Sequence, residues 1–399
     1  MIRRLFYIAP VRMPTEKAHG YQIAKMCEAW SALGIDVHLV VPRRNNPIDR
    51  DAFDYYGIPR SFSIHYLPVR DWFDATIIRA FHLSSFAYAV LMLDFLIAVR
   101  QFAAAEISDQ DAVYTRAWEV AWLFRARRSL IWEVHEITRF QRLTPGLYAR
   151  VAGVVVLTTC LRDILLVSGA SSERVLIAPD AVDMRLFHDA LSASEARRRL
   201  GVPPHRIAIG YVGRLMLHGK IEKGISQLLR AFALLRMERG DLSLVIVGGP
   251  LSAISRYRRE ARLLGVADDV IFAGHVPHAD VSSWMAACDI LTIPWPKTAF
   301  SSWYTSPLKL FEYMASGKAI VTSDLPSLRD VLDEHVAVFA PPGDVAGLAA
   351  ACSMLIRDPS LRDRLGRAAR TAALRHTWDA RAASISAFID AVLPVRPSA

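Results

Sequence analysis

The sequence of 399 residues predicts an α/β protein with two doubly wound parallel sheets. Three observations lead there. Short apolar runs alternate with helical patterns in two successive series. The runs are apolar at nearly every position, as strands covered on both faces are. The length suits two domains of about 180–200 residues each.

The first series opens with LFYIAP, then a helix from about Gly20 to Leu33, then VHLVVP after Gly34. SIHYLPV, a long apolar helix, AVYTR ending at Arg116, LIWEVHE, GVVVLT and VLIAPDAVD follow. The polar, Arg-rich stretch from Ser192 to His205 ends in PPH and reads as a linker. The second series runs IAIGYVG, a helix from Gly224 to Arg239, LSLVIVGG, a helix from Ser252, DVIFAGHV, a helix from Asp280 to Cys288, DILTIPW, a helix over 306–316, AIVTS and VAVFAPP. The expected division is residues 1–190, residues 191–376 and a closing helix over 377–399 that returns to the first domain. In such sheets ligands sit at the carboxyl ends of the strands, so a cleft between the two domains is the expected site.

A hydrophobic content of 53% and a mean hydropathy of +0.23 exclude a disordered chain. The net charge of +9 comes mainly from Arg clusters: Arg125, Arg127 and Arg128; Arg197 to Arg199; Arg256, Arg258 and Arg259. Such clusters favour anionic partners or form solvated helix faces, and no nucleic-acid recognition motif accompanies them. Cys27, Cys160, Cys288 and Cys352 match neither zinc spacing nor a disulfide framework, which points to reduced thiols and a cytoplasmic setting. RRLFYIAP is too short for a secretory signal. Ala80 to Val99 is long enough to span a membrane, but His82 and Asp94 lie inside it. An aspartate at a helix centre costs about 2.5–3.5 kcal/mol on insertion, so a buried or interfacial helix is expected. Together with Trp72, Phe73 and the 125–128 arginines it suggests peripheral contact with an anionic membrane.

SPLKLFEYMASGKAIVTSDLP, Ser306 to Pro326, is the most informative segment. Ser306 is placed as N-cap and Pro307 as the first helical residue, where its missing N–H costs nothing. A helix opening at Pro307 and Leu308 directs unpaired N–H groups at an anion such as phosphate, and Glu312 lies where a ribose beside that phosphate would be. Upstream, Gly213 and Arg214 end a strand, while Lys223 and Gly224 open a helix. Arg214 offers a bidentate fork for a diphosphate and Lys223 a compact charge. Such cations stabilise negative charge on a leaving diphosphate. The turn at Val276 and Pro277 offers backbone groups to a nucleobase. His135 ends a buried strand in the first half, where it either reaches a cleft or sits satisfied in the core. Gly20 opens a helix after the first strand, without a GxGxxG fingerprint. The DQD at Asp109 to Asp111 precedes a strand instead of following one, and is read as a solvated turn. No metal and no cofactor is expected.

GRL…EKG, LVIVGGP, FAGHV, ACDILTIP and SPLKLFEYMASG occur in the order and approximate spacing of glycosyltransferase family 4, which the chain resembles. MPTEKAHGYQIAKMCEA and APDAVDMRLF look like that family too. The resemblance implies a GT-B fold of two Rossmann-like domains and a retaining transfer from a nucleotide sugar, with UDP- or GDP-sugars foremost. The acceptor would be a saccharide, a lipid-linked precursor or a small molecule. It also implies that Arg214 and Lys223 hold the diphosphate and Glu312 the ribose, that His135 contacts the donor sugar, and that Gly20 lines the catalytic loop. Two departures stand out. Tyr304 occupies the position of the family's first Glu, and the long loop after Arg214 lets Lys220 compete with Lys223. A nucleotide-sugar epimerase on the same fold and a non-catalytic binding protein are the alternatives.

Overall fold

A computed structural model of the protein describes residues 2–73, 83–137, 145–188, 190–217 and 221–393. The chain divides into two compact units, Met1–Pro179 with Trp378–Ala399, and Asp180–Thr377.

In the first unit every strand is parallel to its neighbours: β1 (Arg4–Ile8), β2 (Asp36–Arg43), β3 (Ser63–Pro68), β4 (Ala112–Thr115), β5 (Leu130–Val134), β6 (Gly153–Val156) and β7 (Val175–Ile177). Their order is β3-β2-β1-β4-β5-β6-β7. β1 lies between β2 and β4, with Leu5 opposite both Val37 and Ala112. The order reverses there, so the chain leaves Ile8 and Thr115 toward opposite sides and opens a crevice at their carboxyl ends. Burial of β4, β5 and β6 is continuous along each strand, as their unbroken apolar runs require. The Trp378–Val392 helix belongs to this unit and packs on the Ala18–Ala32 helix, with Trp378 edge-on to Tyr21 at 6.3 Å.

The second unit holds β8 (Ile207–Val212), a small hairpin of β9 (Met216–Leu217) and β10 (Ile221–Glu222), then β11 (Leu242–Val247), β12 (Val270–Gly274), β13 (Ile290–Ile293), β14 (Ala319–Ser323) and β15 (Val338–Ala340). The large sheet runs β12-β11-β8-β13-β14-β15, again all parallel, and reverses between β8 and β13. Those two strands pair only at Ile290–Ile209 and Leu291–Gly210. Beyond that point the Leu308–Ser316 helix supplies Tyr313, whose hydroxyl accepts from the Val212 N–H at 2.7 Å and donates to the Val212 carbonyl at 3.1 Å. The phenol satisfies the backbone of β8 where β13 no longer pairs with it. Apolar clusters cover both faces of this sheet.

Several boundaries differ from the sequence reading. The units divide at Pro179, ahead of the expected limit at 190, because Val182 and Phe187 already pack in the second core and the Val182 N–H bonds the His376 carbonyl. The supposed linker contains a helix, Ala193–Leu200, with a capping box between Ser192 and Glu195. Its Arg197 is buried, donating to Ala287, Pro204 and Arg206 carbonyls and to Asp289. The long apolar helix runs Ser84–Glu106, and residues 80–82 lie outside the described part. One stripe of it is buried, Ala87, Leu91, Phe95 and Val99, while Phe86, Leu93 and Ile97 are exposed. Asp94 is held by Arg70 through bonds of 2.7 and 2.8 Å.

Replacing Tyr313 by Phe leaves both Val212 backbone groups without the hydroxyl, and a buried unsatisfied group costs about 1–3 kcal/mol. The urea midpoint of Tyr313→Phe is expected to fall accordingly, and an unchanged midpoint would show that the hydroxyl bridge carries no stability.

Candidate active site

The second unit's crevice is built at the ends of β8 and β13. Gly213 follows β8 at φ +140°, a conformation open to glycine, and a Cβ there would lie 2.6 Å from Lys309 Nζ. Arg214 is exposed, and its carbonyl accepts the Tyr211 hydroxyl at 2.7 Å. The β9–β10 hairpin after Arg214 returns the chain so that the Lys223 N–H bonds the Leu215 carbonyl. Lys223 Nζ then lies 4.7 Å from the ring centre of Trp295, just past β13. Burial, then the nearby charge of Arg214, lower the Lys223 ammonium to about 8. Lys309, in the first turn of the Leu308–Ser316 helix, is buried, with Nζ 3.7 Å from the ring centre of Tyr211. Glu312 Oε1 is 3.1 Å from His278 Nε2. Arg214, Lys223 and Lys309 form no salt bridge with any carboxylate among the described residues.

The first unit's crevice holds a different kind of network. His135, just after β5, donates from Nε2 to Glu133 at 2.8 Å, and its Nδ1 lies 2.8 Å from Arg116. A guanidinium cannot accept, so Nδ1 is the acceptor and the proton sits on Nε2. Arg116 follows β4 at the point of order reversal and also bonds Gln22 at 3.1 Å. Glu133 is buried and receives Arg381 at 2.7 Å and the Tyr114 hydroxyl at 2.7 Å. Burial pushes the Glu133 carboxyl up, but the charge of Arg381 and the hydrogen bond donated by His135 outweigh it and hold it well below the usual range. Burial, then the charge of Arg116, bring the His135 imidazole down to about 4.

Residues 206–358 match the family described as glycosyl transferases group 1. A D-inositol 3-phosphate glycosyltransferase from Xylanimonas cellulosilytica is 28% identical over 306 residues, covering 69% of this chain and 70% of the relative. The chain is a glycosyltransferase whose second half matches group 1. Sucrose-phosphate synthase from Thermosynechococcus elongatus superposes with a TM-score of 0.75 at 18% identity, over 97% of this chain and 98% of that one. The HepE protein of Anabaena, solved with UDP, gives 0.71 at 17% identity, over 97% and 99%. These likenesses establish the GT-B fold, and the relative's name favours transfer over the epimerase alternative.

Some of the transferase's expected site residues take unexpected partners. Ser306 does not cap its helix. Its hydroxyl accepts the Asp180 N–H at 2.8 Å, while Pro307 takes the N-cap position and Leu308 begins the helix. Gly20 lies in the first turn of the Ala18–Ala32 helix, and its N–H is spent on the Lys17 carbonyl. A Cβ on Gly20 would come within 2.2 Å of the Tyr56 hydroxyl, which bonds both the N–H and the carbonyl of Thr15. Val276 packs its side chain on the core, leaving its backbone in the loop after β12. Tyr304 ends a short π-helical turn, Phe300–Tyr304, edge-on to Trp303. Lys220 lies outside the described residues. Asp109 and Gln110 of the DQD sequence are exposed in a turn, but Asp111 is buried, accepting from the Ser108 N–H and hydroxyl and lying 3.5 Å from Arg4. No cluster of metal-ligating side chains occurs among the described residues.

Arg116, Glu133, His278, Lys309 and Arg381 were not singled out from sequence. Two signals were available for them. Glu133 stands two residues before His135 on one strand, and so on the same face, and Lys309 opens an otherwise apolar helical turn.

His135 stays neutral in the folded transferase down to about pH 4, while its unfolded counterpart titrates near 6.5. The stability this gives is complete above the unfolded value and is lost as the pH falls from there toward 4. The urea midpoint of the wild type is expected to drop more between pH 6.5 and 4 than that of His135→Gln. Parallel curves would contradict the assignment.

Proposed function

We propose that this glycosyltransferase is a retaining enzyme that moves a sugar from a nucleotide-sugar donor to an acceptor hydroxyl without a metal ion. The observation that carries the reading is the positive charge at the end of β8, where Arg214, Lys223 and Lys309 stand without carboxylate partners among the described residues and Glu312 is close by. Of the three, Lys309 is buried and Lys223 half-buried, and cations in this state favour a multiply charged anion. A nucleoside diphosphate supplies the anion, and its ribose supplies hydroxyls for Glu312. The Anabaena neighbour solved with UDP supports a donor of this class.

In this reading Arg214 and Lys223 bind the diphosphate, and the first-turn N–H at Leu308 adds its partial charge. The backbone at Val276 faces the base. The C–O bond to the diphosphate breaks, its electron pair stays on the phosphate oxygen, and the acceptor oxygen bonds the same face of the sugar carbon. The acceptor's proton passes to the departing phosphate. Positioning and charge stabilisation then do most of the catalysis. In the first unit, both ring nitrogens of His135 are engaged, so a sugar hydroxyl contacting it would replace Arg116 at Nδ1.

The acceptor is proposed to be presented at an anionic membrane surface. Phe86, Leu93 and Ile97 form an exposed apolar stripe, and Trp72 stacks on Phe86 at 6.3 Å. Arg70 lies over Trp72, and Arg125 lies 3.7 Å from the ring centre of exposed Trp122. Apolar side chains beside arginines suit the headgroup region, where each basic residue contributes about 1 kcal/mol.

Arg214→Ala and Glu312→Ala are each expected to cut kcat/KM for the nucleotide sugar at least tenfold while the protein stays folded, with wild-type turnover surviving EDTA. Wild-type kinetics in both variants would refute the donor site, and loss on chelation restored by a divalent ion would refute metal independence. Cosedimentation with anionic vesicles is expected at low salt and reduced at high salt or with Phe86→Ala and Trp72→Ala combined. No sedimentation at low salt would refute the membrane surface.

A further inference from the structure

Lys309 has no role in the donor site implied by the family resemblance, and its surroundings are unusual for a lysine. It is 7% exposed, and its Nζ is buried without a hydrogen-bond partner among the described residues. The ammonium is held from one side by the ring of Tyr211 at 3.7 Å and lies 6.0 Å from that of Trp295. Trp295 also receives Lys223 at 4.7 Å, so the two ammonium groups share one aromatic ring. The Gly213 backbone stands against Nζ where a Cβ would be. Lys309 lies one turn before Tyr313 on the same helical face, so the hydroxyl that anchors the helix to Val212 also fixes where Lys309 points.

An ammonium with no partner, desolvated and beside a second cation, is a costly arrangement in the free protein. Aromatic faces offset part of that cost. Glu312 is the nearby carboxylate, and it is bonded to His278. A purely structural lysine would be paired, as Arg197 and Arg381 are. We propose that Lys309 is a third cation of the donor site, completed by a phosphate oxygen of the bound nucleotide at the Gly213 turn. The inference rests on the donor-site reading above.

Burial, with the charge of Lys223 beside it, holds the Lys309 ammonium well below the usual lysine range. Lys223 itself titrates near 8. A phosphate arriving between them favours the charged forms, so binding takes up protons at slightly alkaline pH. The free protein tolerates the site by lowering the charge there, and the donor restores it.

The test is calorimetric titration of UDP, GDP, ADP and dTDP into the wild type, Lys309→Met and Lys309→Arg, in two buffers of different ionisation enthalpy at pH 8. For the diphosphate that binds wild type, Lys309→Met is expected to raise Kd at least tenfold and reduce proton uptake. Binding of the matching nucleoside, read by saturation-transfer NMR, is expected to change less than twofold. Methionine removes a buried amine that lacks a hydrogen-bond partner among the described residues, so the thermal midpoint of the free variant is expected to rise. Lys309→Arg is expected to retain more diphosphate affinity than Lys309→Met. Diphosphate affinity within twofold of wild type in Lys309→Met overturns the proposal, as does an equal loss for the nucleoside or a lowered midpoint. If the wild type binds none of the four, the donor-site reading itself fails, and the role of Lys309 fails with it.

Discussion

The second unit depends on one side chain at the place where its sheet comes apart. β8 and β13 pair for two positions and then diverge, and Tyr313 fills the gap by answering both backbone groups of Val212. A parallel sheet can open a crevice at a reversal of strand order only if the backbone it exposes is satisfied by something else. Here a phenol does it, from a helix that is buried on most of its faces. Because that helix is pinned, Lys309 one turn earlier and Glu312 beside it are fixed relative to Gly213 and Arg214. The chemistry of the site is thus tied to the completeness of hydrogen bonding in the sheet.

The two units treat buried charge in opposite ways. In the first, Glu133 collects Arg381, His135 and Tyr114, so that a desolvated carboxylate is fully answered. Removing one member of such a set typically costs about 3–5 kcal/mol, since it strands the others. That network ties the returning Trp378–Val392 helix to β5 and sets the tautomer of His135. In the second unit, Lys309 Nζ has no hydrogen-bond partner among the described residues, and Lys223 lies against the face of Trp295. A protein stable enough to carry that deficit holds a site already arranged for an anion, with little to reorganise when one arrives.

Much of this was legible in the sequence, and the rest was not for identifiable reasons. The two parallel sheets followed from apolar runs, because strands buried on both faces have no polar side to alternate with. The helix after Gly224 and the one after Pro307 were legible from their breakers, each within a residue or two of its observed start. The Ser192–His205 stretch was misread on its polarity, although Ser192 and Glu195 carry the spacing of a capping box. Ser306 was misread because local propensity favoured a cap, while a partner far away in sequence, Asp180, claimed the hydroxyl. Arg381 meets Glu133 across 248 residues, and Arg116 meets His135 only because β4 and β5 are neighbours. Pairings of that kind depend on topology, and no spacing in the chain announces them.

The most direct test of the account is a crystal structure of the protein with the nucleoside diphosphate that binds it. The account predicts the diphosphate at the Gly213–Arg214 turn, within hydrogen-bonding distance of Arg214 and Lys223, with ribose hydroxyls on Glu312. A nucleotide bound elsewhere, or one whose phosphates touch none of these cations, would contradict it.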